Sequence, residues 1–112
     1  MASLPDVLQA ALQHHQAGRL QEAEALYRQI LQVEPDHSDA LHLLGVMAHQ
    51  GGKHDVAVEY MMRAIALNPR AAEYHSNLGE AYRALGRLGE AEASLQKALA
   101  HNPTSAEAMH NL

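Results

Sequence analysis

The apolar positions of this chain follow a helical spacing that stops and restarts. Leu41, Leu44, Gly45 and Ala48 fall at i, i+3, i+4 and i+7, one stripe of a helix. Gly51-Gly52 breaks the stripe. A second stripe runs through Ala57, Met61 and Ala64 and ends at Asn68-Pro69. The next stretch repeats the plan: Leu78, Gly79 and Tyr82, a break at Gly86, then Ala91, Leu95 and Ala98, ending at Asn102-Pro103. The pattern predicts pairs of helices joined by tight turns. Proline separates one pair from the next, because it cannot continue a helix interior.

The pairs recur on one period. Pro35, Pro69 and Pro103 are 34 residues apart, as are Gly18, Gly52 and Gly86, Ala23, Ala57 and Ala91, and Leu44, Leu78 and Leu112. Gly45 and Gly79 share the spacing. Such a period marks a repeat architecture. The glycines in SNLGEAYRALGRLGEA are therefore fixed places in a repeated unit. A phosphate-binding loop would occur once, after a strand, as GxGxxG or GxxxxGK[ST], and neither pattern is present. Gly45 and Gly79 are expected where helices cross closely. Gly86 is expected to need a left-handed backbone.

Composition narrows the picture. Of 112 residues, 47% are hydrophobic but only 4% aromatic, all tyrosine, which suits close-packed helices rather than sheets. The net charge of −5 argues against a nucleic-acid backbone as partner. With no cysteine, disulfide and thiolate chemistry are excluded. The N-terminal stretch has no cation before Arg19 and no long apolar run, so neither a signal peptide nor a membrane span is expected. A cytoplasmic location without membrane partners is the expectation.

With these residues the chain resembles the tetratricopeptide repeat family, whose unit is 34 residues of helix–turn–helix. Its Leu-Gly pair matches Leu44-Gly45 and Leu78-Gly79, its following aromatic Tyr82, its alanine Ala23, Ala57 and Ala91, and its terminal proline all three prolines. The first unit departs, with Ala10-Ala11 for Leu-Gly and His14 for the aromatic. The resemblance implies an all-α, right-handed helical solenoid of three full units, 4–37, 38–71 and 72–105, with a partial fourth at 106–112. A chain stopping inside a unit is expected to be a fragment of a longer protein, or to pair with a second copy through Met109 and Leu112.

By resemblance, the first helix of each unit lines a concave groove, the surface that solenoids use for binding. Helical spacing names the groove residues. The first unit offers Leu8, Gln9, Leu12, His15 and Gln16. The second offers Asp39, His42, Leu43, Val46, His49 and Gln50. The third offers Glu73, Ser76, Asn77, Glu80 and Arg83, and the partial fourth Glu107, His110 and Asn111. Leu8, Leu12, Leu43 and Val46 make an apolar strip, and Glu73, Glu80 and Glu107 an acidic end. This predicts non-catalytic capture of a peptide or helix of another protein.

Two alternatives belong to other classes. The texture NPRAAEYHSNLGEAYRALGRLGEAEASLQKAL is also similar to the arrays of O-linked N-acetylglucosamine transferases, which implies an oligomerisation or scaffold module of a larger enzyme. Asn77 and Asn111 match the asparagine ladder of those arrays, whereas Leu43 and Gln9 do not. The repeat domains that clamp a chaperone's C-terminal carboxylate use Lys, Asn and Arg where this chain has Leu8, Leu12, Leu43, Glu73 and Asn77, and Glu73 would repel a carboxylate. Nine histidines raise the other alternative, a metal- or pH-responsive groove using His15, His42 and His49. No two histidines are three or four residues apart, so no dedicated metal or other cofactor is expected. Ser76 with Glu80 and His42 or His110 could be read as a triad, but an open groove would not exclude water, and no enzyme activity is expected.

Overall fold

A computed structural model describes residues 3–102. The described residues form six helices: α1 (Leu4–Gln16), α2 (Leu20–Val33), α3 (Ser38–Gln50), α4 (His54–Leu67), α5 (Ala72–Ala84) and α6 (Leu88–His101). The stops and starts fall where the apolar stripes break. Met109 and Leu112, together with Glu107, His110 and Asn111, lie outside the described residues.

Each turn within a pair is closed by glycine. Gly18, Gly52 and Gly86 have φ of 81°, 82° and 76°. That left-handed step lets the next amide reach back: Arg19 N–H donates to His14 O at 2.9 Å, Lys53 N–H to Ala48 O at 2.8 Å, and Arg87 N–H to Tyr82 O at 2.9 Å. The end carbonyls of α1, α3 and α5 are thereby satisfied. Gly86→Ala is expected to cost about 1 kcal/mol, because a Cβ disfavours this backbone even with open space around it. A thermal melt checks it. Each junction between pairs uses proline instead. Glu34 and Asn68 end α2 and α4 outside the helical region, with ψ of 87° and 83°, as the following proline disfavours a helical residue before it. At α3 the new helix is capped by His37, whose Nδ1 accepts from Ala40 N–H at 3.1 Å.

Packing explains the small residues. A Cβ on Gly45 would lie 2.8 Å from Met61 Cγ, and one on Gly79 would lie 2.8 Å from Leu95 Cγ. At these crossings α3 rides on α4 and α5 on α6. Ala11 occupies the matching place in α1 and is fully buried against α2, beside Ala23 and Tyr27. Successive helices pack antiparallel, and α3 and α5 also touch directly. Thus α1, α3 and α5 form one layer and α2, α4 and α6 the other, in a body 44 × 26 × 23 Å. Among the described residues no helix is long and apolar enough to cross a membrane.

Candidate groove on the inner helices

The inner layer carries the residues that spacing assigned to a groove, but it does not expose them equally. Gln9, Gln16, Asp39, Gln50, Glu73 and Arg83 are exposed. Leu8, Leu12, His15, Leu43, Val46, His49, Asn77 and Glu80 are half-buried. His42 and Ser76 do not open on the groove: they are 2% and 1% exposed. Here α5 leans on α3, so one stripe of each inner helix serves the repeat-to-repeat contact. The apolar strip is partly spent in the same way. Leu8 and Leu43 pack on the core between α1, α2 and α3, and Val46 packs on the next core along.

Neighbouring inner helices are stitched together by side chains 35 residues apart, one repeat plus one position. His15 Nε2 bonds Gln50 Oε1 at 2.9 Å, Asn77 Nδ2 meets His42 Nε2 at 3.0 Å, and the Tyr74 hydroxyl donates to the Asp39 carboxylate. The Tyr74 hydroxyl also lies 3.3 Å from Ser38 Oγ. Tyr74 further stacks on His42, with ring centroids 4.3 Å apart. His15 Nδ1 bonds the buried Tyr27 hydroxyl at 3.1 Å. Burial pushes the Tyr27 phenol up to about 12. Burial, then the bond to Asp39, does the same for Tyr74. Both phenols are neutral donors at physiological pH.

His42 is the most perturbed imidazole. Desolvation drives it down to about 4, against a small opposing pull from Asp39. With Asn77 donating to Nε2, the neutral ring carries its proton on Nδ1, which has no partner. Ser76 Oγ is likewise buried without a partner. A nucleophile there is unreachable, so the arrangement of Ser76 with His42 and Glu80 is not a triad. Nor do His15, His42 and His49 assemble. Each has a different partner, and the described residues contain no group of three or more His, Cys, Asp or Glu that could hold a metal ion. His49 instead faces His54 across the α3–α4 turn, Nδ1 to Nδ1 at 2.9 Å. His75 is a packed imidazole, bonded to Pro69 O at 2.7 Å.

Charge on the groove is mostly negative. Asp39, Glu73 and Glu80 line α3 and α5, while Arg83 donates to Glu80 at 3.3 Å. Such exposed pairs contribute tenths of a kcal/mol. Spacing does not point to a cleft of about 320 Å³ between α2 and α4 with α3 as its floor, lined by Leu20, Leu44, Met47 and Tyr60 among others.

Stacked antiparallel helix pairs with a shared inner face define a helical-repeat solenoid. The tetratricopeptide repeat profile matches residues 8–66 and 50–106, and the chain belongs to that family. It is 33% identical over 89 residues to a UDP-N-acetylglucosamine–peptide N-acetylglucosaminyltransferase of Caenorhabditis elegans, covering 80% of this chain but 8% of that protein. An O-GlcNAc transferase from Thermobaculum terrenum superimposes with a TM-score of 0.92 at 33% identity, over 96% of this chain and 22% of that one. The first repeat domain of Spaghetti (RPAP3), bound to an HSP90 peptide, superimposes at 0.91 over 97% of this chain and 86% of that one. At 23% identity that likeness shows the fold alone. The chain therefore spans a small part of the transferases it matches.

Proposed function

We propose that this chain is a non-catalytic binding module that holds a segment of another protein along the inner face of α1, α3 and α5. Repeats of this family are generally protein-interaction modules, which supports the coarse reading. The observation that carries the finer one is the charge of the groove: three carboxylates, Asp39, Glu73 and Glu80, stand on α3 and α5 with Arg83 as the cation in the same set. The exposed edges of Leu8, Leu12, Leu43 and Val46 add apolar contact nearer α1. The segment that fits is extended or helical, with apolar residues at one end and lysine or arginine at the other. A carboxylate-terminated peptide would meet Glu73 and be repelled.

A labelled peptide with leucines in one half and lysines in the other tests this by fluorescence anisotropy. It is expected to bind, to weaken with salt, and to lose about tenfold in affinity to Glu73→Lys. Glu73 is exposed, so the variant folds. Affinity unchanged by Glu73→Lys and by salt would contradict the reading. A second reading is supported by the two transferases at 33% identity: the array serves as the scaffold segment of a larger glycosyltransferase, with the same groove engaging its protein substrates.

A further inference from the structure

The turn between paired helices brings two fixed positions together: the next-to-last residue of the first helix and the first residue of the second. In the first pair these are His15 and Leu20, in the third Arg83 and Leu88, and in the second His49 and His54. The three turns share one backbone, with a left-handed glycine at the same place. Leu20 and Leu88 are exposed apolar residues, whereas His54 is half-buried against His49. The two imidazoles aim Nδ1 at Nδ1 across 2.9 Å, with ring centroids 4.8 Å apart and planes inclined by 59°.

We propose that His49 and His54 form a two-imidazole chelate for one divalent cation of the zinc, nickel or copper class, pinning the end of α3 to the start of α4. Two nitrogens bound to one tetrahedral zinc at about 2.0–2.1 Å stand about 3.3 Å apart, so the pair must open by about 0.4 Å and each ring must turn by about 35° to aim its lone pair at the shared metal. The turn that links them, Gln50-Gly51-Gly52-Lys53, is exposed, and rotation about the two side chains supplies the change. Desolvation first, and then the neighbouring His54, hold His49 below the ordinary histidine range, which keeps the ring neutral and its lone pair available. In the metal-free pair one Nδ1–H donates to the other Nδ1. On binding, both Nδ1 lone pairs go to the metal and both rings carry their proton on Nε2, so a tautomer changes and no proton is released. Glu80, on the facing helix α5, adds a negative field at His49 that favours a cation. No third side chain completes the set among the described residues, so water takes the remaining positions.

The test is zinc titration of the untagged full chain by calorimetry and thermal melting, with His54→Gln, His49→Gln and His14→Gln beside the wild type. One zinc per chain is expected. At about ten times the dissociation constant it raises Tm by about 5 °C. Both effects vanish in His54→Gln and His49→Gln and persist in His14→Gln. The metal-free Tm of each variant establishes that it is folded. Zinc binding that survives His54→Gln, or the absence of saturable binding to the wild type, overturns the proposal.

Discussion

Gly79→Val is expected to lower the stability of the chain by about 3 kcal/mol and its Tm by more than about 10 °C. The reason is local. A Cβ at residue 79 would lie 2.8 Å from Leu95 Cγ, 2.9 Å from Leu95 Cδ2 and 3.3 Å from the Ala91 carbonyl oxygen. Leu95 is 2% exposed and has nowhere to retreat. Valine adds two further methyls and a stiff χ1 to a contact already too short for one. Helix propensity acts the other way, since replacing a helix glycine gains up to about 1 kcal/mol, but it is the smaller effect. Gly89→Ala isolates that gain: nothing lies within 4 Å of its would-be Cβ and its φ is ordinary. That variant is expected to melt at or slightly above the wild-type temperature. If Gly79→Val and Gly89→Ala melt alike, α5 does not ride on α6 as described.

Acid is expected to destabilise the chain through His42. Its folded value is about 4, below the ordinary 6.5 of the unfolded chain. Between those values the unfolded chain takes up a proton that the folded chain refuses, so stability falls as pH drops from 6.5 to 4. The full contribution, about 3 kcal/mol, is present above pH 6.5 and gone below 4. The groups packed on the ring explain the refusal. Tyr74 stacks on it as a neutral phenol and Asn77 donates to it. The Asp39 carboxylate offsets only part of the desolvation. Urea midpoints at pH 7 and pH 4.5 measure the effect. His42→Gln should flatten the acid slope by about one proton, and an unchanged slope would contradict this account of the ring.

The scaffold was largely legible in the sequence because its signals are local or strictly periodic. Gly52 and Gly86 mark turns by backbone freedom, Pro35 and Pro69 mark junctions by a missing donor, and Gly45 and Gly79 mark crossings where no Cβ fits. The groove was only half legible. Spacing along a single helix tells which residues leave the core of their own pair, but not which of them the next pair covers. His42 and Ser76 look free on α3 and α5 and are buried by the contact between those helices. Tyr74, which closes that contact, was not assigned to the groove at all. The signal for that contact is a spacing of one repeat plus one residue, which joins Asp39 to Tyr74, His42 to Asn77 and His15 to Gln50. The facing of His49 and His54 is hidden for a related reason, because a pair on one helix shows at a spacing of three or four and this pair is five apart across a turn.

Binding along the inner face of α1, α3 and α5 can be read residue by residue. Amide chemical shifts of the labelled chain, followed during titration with the leucine–lysine peptide, report which helices respond. The largest changes are expected on α3 and α5, at Asp39, Glu73, Asn77 and Glu80, extending to Leu12 on α1, with α2, α4 and α6 little affected. Changes concentrated instead around Leu20, Arg28, Val56 and Tyr60, on the α2 and α4 walls of the other cleft, would contradict it.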